Sequence, residues 1–137
     1  MQRPSWDQYF MEMARNAATR STCDRAHVGA IIVRNNDVLA TGFNGSVKGM
    51  AHCDDVGHLF SSDHCVRTIH AEINAIIRCA LYGTTPNGAT VYVTHYPCYE
   101  CAKVLLNAGI TRIVYQNDYR RSHDLFEMAG VTVECVQ

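Results

Sequence analysis

The sequence lacks a long hydrophobic run, a surplus of charge of one sign and any internal repeat. No stretch approaches the roughly 18 apolar residues that a membrane span needs, so we expect no membrane partner. Its 12 basic and 13 acidic residues nearly cancel, and a net charge of −1 argues against a polynucleotide held by a broad basic surface. The first residues lack the apolar stretch of a signal peptide, so we expect a cytoplasmic location.

The composition fits one folded domain. The 137 residues are 47% hydrophobic and 18% charged, which excludes a disordered chain. That length suits one hydrophobic core, and no linker divides the chain, so we expect a single domain over 1–137. Seven cysteines and seven histidines stand out. Cysteine at roughly 5% is below the level of a disulfide scaffold, and its number is odd, which favours reduced thiols that bind metal.

Periodicity and turn residues predict a helix and a hairpin near the start of the chain. We expect a helix over 5–20 and strands over 28–33 and 38–41. Ser5 and Gln8 have the spacing of a capping box, which places the start of the helix. The tight-turn residues Asn35, Asn36 and Asp37 join the two strands, so these strands should form an antiparallel hairpin.

From residue 70 onward, predicted helices alternate with predicted strands. We expect helices over 70–81, 97–108 and 122–129, and strands over 89–94, 112–116 and 131–136. Gly83 should end the first of these helices, and Pro97 suits the first turn of the second. Strands joined by helical crossovers are normally parallel. The predicted fold is therefore α/β: a five-stranded mixed sheet, antiparallel in its first hairpin and parallel later, inside a three-layer α/β/α sandwich.

Three residues have the spacing and chemistry of a catalytic zinc site. His70 opens one predicted helix, while Cys98 and Cys101 lie three apart at the start of another and face the same way. One imidazole and two thiolates give zinc three protein ligands and leave a position for water, whereas structural zinc is closed by four. Helix N-termini favour negative charge and help hold both cysteines as thiolates.

Glu72 completes the predicted site. It lies two residues after His70 and points to another side of the helix, so it suits a water on the zinc better than the zinc itself. A carboxylate there can accept the proton that this water releases and return it to the substrate. Taken alone, each feature has a plainer interpretation: C-x-x-C as a structural zinc half-site or redox pair, and the histidine as a core residue.

The combination of H-x-E at 70–72 with P-C-x-x-C at 97–101 resembles the cytidine/deoxycytidylate deaminase superfamily. Within it, the chain is most similar to the deoxycytidylate deaminases of bacteria and phages. The resemblance extends from Trp6 to Val133, and its segments are 20–23, 28–30, 41–45, 53–57, 64–72 and 94–98. Phe43 departs from the family, which usually has tyrosine there. The resemblance implies the cytidine deaminase-like fold.

The same resemblance implies hydrolysis of dCMP to dUMP and ammonia. Zinc-activated water would attack ring carbon 4, while Glu72 protonates ring nitrogen 3 and then the leaving amine. Asn44 would contact the deoxyribose, and the carbonyl of His95 or the surroundings of Tyr96 would flank the base. For the phosphate, the family pattern supports Arg20, Ser21, Tyr119 and Arg120. The alternatives are a solvated charge for either arginine and a simple turn at Asn44.

A second zinc is predicted for residues 42–68, which show no clean period. Such a long irregular stretch is usually functional or held by something other than a core, and a closed zinc site would order it. The predicted ligands are Cys23, Cys53, His58 and Cys65, with His64 as the substitute for Cys65. The resemblance gives partial support, because some phage and bacterial relatives hold a second zinc with cysteines at positions 23 and 53. The alternative is buried thiols and surface histidines.

Regulation is implied by the resemblance alone, because deoxycytidylate deaminases are typically homohexamers that dCTP activates and dTTP inhibits. A triphosphate site needs backbone donors and usually a divalent ion. The predicted donors lie in the loop of Gly42, Phe43, Asn44 and Gly45. Asp54 and Asp55 would read the base or hold water on Mg²⁺. The alternative is an ordinary turn followed by solvated acids.

Two other functions stay open from the sequence. Another deaminase of the superfamily would act on free cytidine, cytosine or adenosine in tRNA. A tRNA substrate would favour a basic face, and a free nucleoside would not need phosphate-binding residues. A zinc-stabilised binding module would use every histidine and cysteine structurally and would leave Glu72 without a role.

Overall fold

The computed structural model describes residues 2–22, 26–58, 60–61, 64–65, 67–118, 121 and 123–137. The helices in this part of the chain are α1 (Trp6–Ala18), α2 (Cys53–Val56), α3 (Ala71–Tyr82), α4 (Tyr99–Asn107) and α5 (Leu125–Met128). The strands are β1 (Gly29–Arg34), β2 (Asp37–Phe43), β3 (Gly45–Ser46), β4 (Phe60–Ser61), β5 (His64–Cys65), β6 (Thr68–Ile69), β7 (Thr90–His95), β8 (Arg112–Asn117) and β9 (Thr132–Cys135). None of these helices is both long and apolar enough to cross a membrane.

A five-stranded mixed sheet organises the molecule, as the sequence predicts. Its strand order is β2-β1-β7-β8-β9. β1 is antiparallel to both β2 and β7, while β7–β8 and β8–β9 are parallel. The β1–β2 hairpin turns at Asn35 and Asn36, whose φ angles are 53° and 63°. Asparagine tolerates this left-handed region better than most residues, so the predicted tight turn is confirmed.

Helices cover both faces of the sheet, which confirms the three-layer α/β/α prediction. α1 packs on one face with an apolar cluster of Phe10, Met11, Ala14, Ile31, Val33, Tyr92 and Val114. α3, α4 and α5 cover the other face, where the larger core lies. Two glycines permit this close approach of helix to strand. A Cβ on Gly29 would overlap the carbonyl oxygen of Ala14 in α1, and a Cβ on Gly42 would overlap that of Ala71 in α3.

The predicted start of the first helix is confirmed, but its end differs. The amide of Gln8 donates to Ser5 Oγ at 3.1 Å, and the amide of Ser5 donates to Gln8 Oε1 at 3.3 Å, which completes the capping box. The helix ends at Ala18, two residues before the predicted end. Gly83 ends α3 in a left-handed conformation at φ 67°, as predicted.

Two later helices are shorter than predicted. α4 begins at Tyr99, because Cys98 is its N-cap and has an extended backbone with φ −68° and ψ 168°. The prediction that Pro97 lies in the first helical turn is therefore wrong. α5 covers Leu125–Met128 only, not 122–129.

The stretch predicted to be irregular contains short regular elements. Gly42 and Phe43 are the last two residues of β2, so the prediction that they lie in a loop is wrong. β3 pairs with β6 and β4 pairs with β5, in ladders of two residues each. A strand of two residues is too short to produce a repeating pattern of apolar and polar residues in the sequence. The pairing of Gly45 with Ile69 brings the segment after β2 beside the residue that precedes His70.

Candidate active site

The N-termini of α3 and α4 bring together the three predicted metal ligands. His70 is the N-cap of α3, Cys98 is the N-cap of α4, and Cys101 lies in the first turn of α4. His70 Nδ1 is 3.2 Å from Cys101 Sγ and 3.5 Å from Cys98 Sγ. Within the described part of the chain, this is the one group of three histidine, cysteine or acidic residues arranged to hold a metal ion.

The spacing of these atoms fits zinc. Tetrahedral zinc with nitrogen at about 2.0–2.1 Å and sulfur at about 2.3 Å sets neighbouring ligand atoms roughly 3.5–3.8 Å apart. The three ligand atoms all lie within 4.8 Å of one another, so small adjustments bring them to that geometry. One imidazole and two thiols are also the soft donor set that zinc prefers. His70, Cys98 and Cys101 can therefore hold zinc and leave one coordination position open.

The two thiols of the cluster differ in acidity. Hydrogen bonds from the Cys101 thiol and from His70 lower the pKa of Cys98 to about 3, although burial opposes this shift. The hydrogen bond that Cys101 makes with Cys98, together with burial, raises the pKa of Cys101. Cys98 is therefore the thiol that loses its proton first. Both sulfurs also lie at a helix N-terminus, which favours negative charge.

Glu72 lies in the first turn of α3 and is only 4% exposed. Burial raises its pKa from 4.5 to about 7, while a hydrogen bond from its own amide and the charge of nearby His70 act in the opposite direction. A carboxyl group with a pKa near neutrality can both accept and donate a proton at physiological pH. The role of Glu72 as a proton carrier stays a prediction, which burial of the carboxyl group favours.

Asn44 holds the segment after α1 next to the segment after β2. Its Oδ1 accepts from the amide of Val28 at 2.9 Å, and its Nδ2 donates to the carbonyl of Ala26 at 2.7 Å. The amide of Thr22 also donates to the carbonyl of Asn44 at 3.2 Å. Ser21 is buried beside this junction, and its Oγ donates to the carbonyl of Ala26 at 3.4 Å. The structure thus brings Ser21 and Asn44 into one corner.

The other predicted substrate residues are less completely placed. Arg20 is exposed just beyond the end of α1. His95 ends β7, and burial lowers its pKa, which favours the neutral imidazole. It lines a cleft of about 510 Å³ at the carboxyl ends of the parallel strands, with Thr94, Gln116, Asn117, Asp118, Cys135 and Gln137. Tyr119 and Arg120 lie outside the described residues.

Tyr96 belongs to the core more than to a binding surface. It is 5% exposed, and its ring packs edge-on against Tyr115 and Phe126. The guanidinium of Arg121 lies 4.4 Å from the centre of the Tyr96 ring, and Arg121 also pairs with Glu127 at 2.6 Å. The side chain of Tyr96 is therefore fully engaged in these contacts.

The residues predicted for a second zinc are only partly described. Cys53 is buried in the first turn of α2, and His58 is half-buried two residues beyond its end. Cys23 lies outside the described residues, as do the side chains of His64 and Cys65. The same segment contains a buried polar atom, the Nδ1 of His52, that has no hydrogen-bond partner among the residues that the structure describes.

The predicted regulatory residues also differ in placement. The backbone amide of Asn44 donates to the carbonyl of Val28 at 3.3 Å, so this predicted backbone donor already has a partner within the protein. Asp55 is exposed on α2, whereas the side chain of Asp54 lies outside the described residues. Gly45 belongs to β3.

Asn74 and His123 support the site, and sequence reasoning missed both. Asn74 Nδ2 donates to the carbonyls of Phe43 at 2.9 Å and Ile69 at 3.3 Å, so it joins the end of β2 to the approach to His70. His123 Nε2 lies 2.9 Å from the carbonyl oxygen of Pro97. Asparagine is disfavoured within helices, and this could have drawn attention to Asn74. No local pattern points to His123.

A histidine and two cysteines that can hold zinc, with a neighbouring glutamate that is not a ligand, are the signature of zinc-dependent deaminases. The model of the family described as "Cytidine and deoxycytidylate deaminase zinc-binding region" matches residues 4–117. The chain therefore belongs to the cytidine and deoxycytidylate deaminase family.

The chain is also similar to individual proteins over most of its length. The ComE operon protein 2 of Bacillus subtilis is 51% identical over 140 residues, which cover all of this chain and 74% of that protein. The deoxycytidylate deaminase of Mycobacterium phage D29 is 40% identical, over 86% of this chain and 99% of that one. The dCMP deaminase of the cyanophage S-TIM5, crystallised with dCMP and dUMP, has a TM-score of 0.87 and 31% identity, over 99% of this chain and 100% of that one.

Proposed function

We propose that this protein hydrolyses dCMP to dUMP and ammonia. The observation that carries the proposal is the buried Glu72 carboxyl beside the His70, Cys98 and Cys101 cluster. Two further observations support the substrate: the relative from phage D29 is named a deoxycytidylate deaminase, and the similar cyanophage enzyme was crystallised with dCMP and dUMP.

The residues of the site divide the chemistry between them. His70, Cys98 and Cys101 would hold zinc, which supplies a Lewis acid that activates a water molecule for attack on ring carbon 4. Glu72 takes a proton from this water and delivers it to ring nitrogen 3. Glu72 then carries the remaining hydroxyl proton to the amino group, which leaves as ammonia. Burial raises the pKa of Glu72, which favours a carboxyl group that can hold a proton before it returns it.

The corner that Ser21 and Asn44 form is the proposed binding region for the sugar phosphate. Asn44 uses one lone pair of Oδ1 and one hydrogen of Nδ2 within the protein, so its side-chain amide keeps one acceptor and one donor position for the deoxyribose. The proposed phosphate-binding residues are Arg20, Ser21, Tyr119 and Arg120. The backbone of His95 and Tyr96 is proposed to flank the base.

Ammonia release from three substrates tests the proposed specificity. The zinc-loaded protein is incubated with dCMP, cytidine and a short stem-loop RNA that contains adenosine. We expect release from dCMP, at a rate well above that from cytidine, because cytidine lacks the phosphate. Faster release from cytidine or from the RNA would contradict the proposal and would favour another substrate of the family.

A second, structural zinc is proposed for Cys23, Cys53, His58 and Cys65, with His64 as the substitute for Cys65. One observation supports the proposal: next to Cys53, the buried Nδ1 of His52 has no hydrogen-bond partner among the described residues. Metal analysis of the purified protein tests the proposal, which expects two zinc ions per chain and one after Cys53→Ser. One zinc per chain that disappears with Cys98→Ser would contradict it.

We also propose regulation by dCTP and dTTP, with Mg²⁺, in a cytoplasmic homohexamer. Gly42, Phe43, Asn44, Gly45, Asp54 and Asp55 are the proposed regulatory residues. Asn44 would border both the substrate and the effector, so a triphosphate could change substrate affinity through one short segment. Saturation curves for dCMP alone, with dCTP and with dTTP test this, since three identical curves would contradict it.

A further inference from the structure

The segment that leads into α5 returns to the start of α4 and contacts it through His123. The imidazole Nδ1 accepts from the amide of Leu125 at 3.2 Å, and Nε2 lies 2.9 Å from the carbonyl oxygen of Pro97. The amide can only donate and the carbonyl can only accept. The geometry therefore fixes the neutral imidazole with its hydrogen on Nε2, which donates to Pro97.

Three aromatic rings and one further hydrogen bond fix the position of this imidazole. The ring centres of Tyr96, Tyr99 and Phe126 lie 5.2, 5.6 and 6.0 Å from that of His123. The hydroxyl of Tyr96 lies 3.4 Å from the carbonyl of His123, to which it donates. The imidazole is thus held from several directions while it donates to Pro97.

The carbonyl that His123 contacts belongs to the residue immediately before Cys98. The orientation of the Pro97–Cys98 peptide sets the direction of the backbone at Cys98. Cys98 is extended and precedes the first helical turn. On the other side, the amide of Tyr96 donates to the carbonyl of Asn117 at 2.8 Å. The two residues that precede Cys98 are therefore each held by a hydrogen bond, Tyr96 by Asn117 and Pro97 by His123.

We propose that His123 is a positioning residue for the metal ligand Cys98. Its hydrogen bond to Pro97 holds the peptide that aims Cys98 Sγ at the site, where the sulfur lies 3.5 Å from His70 Nδ1. His123 thereby couples zinc retention to the segment that follows β8. The inference rests on the zinc site and is independent of which nucleotide the site accepts.

Two substitutions separate this role from general packing. His123→Gln places its amide nitrogen the same number of bonds from the backbone as Nε2, so it keeps the donor to Pro97 and loses the acceptor for Leu125. His123→Asn keeps an acceptor at the distance of Nδ1 and loses the donor to Pro97. Each variant keeps one of the two hydrogen bonds, so a merely structural role predicts similar losses in both. His123→Phe keeps a ring and removes both bonds.

Zinc transfer from the loaded protein to a coloured chelator is the readout, with circular dichroism as the check of folding. Outer partners of metal ligands typically contribute about 10–100-fold in metal affinity. We expect His123→Asn and His123→Phe to lose zinc affinity in that range, and His123→Gln to stay close to the original protein. The visible spectrum of the cobalt-loaded protein should change in the same order.

Equal zinc affinity in the Asn variant and the original protein would overturn the proposal. A loss in the Gln variant as large as that in the Asn variant would also overturn it. If the Phe variant does not fold, the Gln and Asn pair still decides the question. Because zinc transfer needs no substrate, this result is separate from the identity of the nucleotide.

Discussion

Replacing Glu72 with glutamine removes the proposed proton carrier and leaves the shape of the side chain almost unchanged. Glu72 is 4% exposed, so the variant tests a buried carboxyl without opening a cavity. General acid–base catalysis by one side chain contributes about 10²–10⁴-fold. We expect the turnover of dCMP to fall by about that factor, or roughly 3–5 kcal/mol in activation free energy. His70, Cys98 and Cys101 are unchanged, so zinc should stay bound.

The same substitution should stabilise the metal-stripped protein. Burial raises the pKa of Glu72 from 4.5 to about 7, so the folded state disfavours the ionised carboxylate. Each pKa unit is worth about 1.4 kcal/mol, which gives a penalty of up to about 3 kcal/mol. A raised pKa means that stability is retained below about pH 4.5 and lost as the pH rises to about 7. The advantage of Glu72→Gln should therefore be small at pH 5 and largest above pH 7.

Two assays check these expectations. Ammonia release gives the turnover number of the zinc-loaded variant, and urea unfolding at pH 5 and pH 8 gives the stability of the metal-stripped variant. Glu12→Gln is the matched control, because Glu12 is an exposed glutamate on α1. A zinc-loaded Glu72→Gln protein that keeps more than about a tenth of the original turnover would refute the role of Glu72. Equal stability of variant and original at pH 8 would refute the electrostatic argument.

Other predictions concern the supports of the site. Arg112 donates to both carboxylate oxygens of Asp7 and to both of Glu134, at 2.8–3.0 Å. Arg112→Met removes these charged hydrogen bonds, so it should lower the free energy of unfolding in urea by about 2 kcal/mol, and no change would contradict this. Arg112 lowers the pKa of Asp7, so the stability that Asp7→Asn removes should be present above about pH 4 and disappear below it. Asn74→Leu leaves two carbonyls without their donor, so it should lower both the turnover and the free energy of unfolding, the latter by about 1–3 kcal/mol. The control Asn107→Leu, at the exposed end of α4, should change neither quantity.

The sheet and the metal ligands could be predicted because their signals are local. Helical and strand periods repeat within a few residues, and the spacing of Cys98 and Cys101 fixes their relative positions at one helix end. His70 and Glu72 are likewise linked by a spacing of two. These patterns need no knowledge of distant contacts, and the structure brings His70, Cys98 and Cys101 together at the two helix N-termini.

The parts that the sequence did not predict depend on contacts between distant segments. His123 acts on a carbonyl 26 residues away, and Asn74 acts on one 31 residues away. No short-range sequence pattern identifies either partner.

The predicted start of α4 at Pro97 is wrong, because the backbone at Cys98 also depends on a distant contact. Proline suits the start of a helix, yet Cys98 adopts an extended backbone and faces His70 across the site.

The most direct test of the proposed function is turnover of dCMP in water enriched in oxygen-18, with the product analysed by mass spectrometry. Hydrolysis at ring carbon 4 predicts dUMP that carries one oxygen-18 atom per molecule, with one ammonia released for each. The metal-stripped protein should form no product, and added zinc should restore the reaction. Absence of dUMP with the zinc-loaded protein, or dUMP without the label, would contradict the proposed reaction.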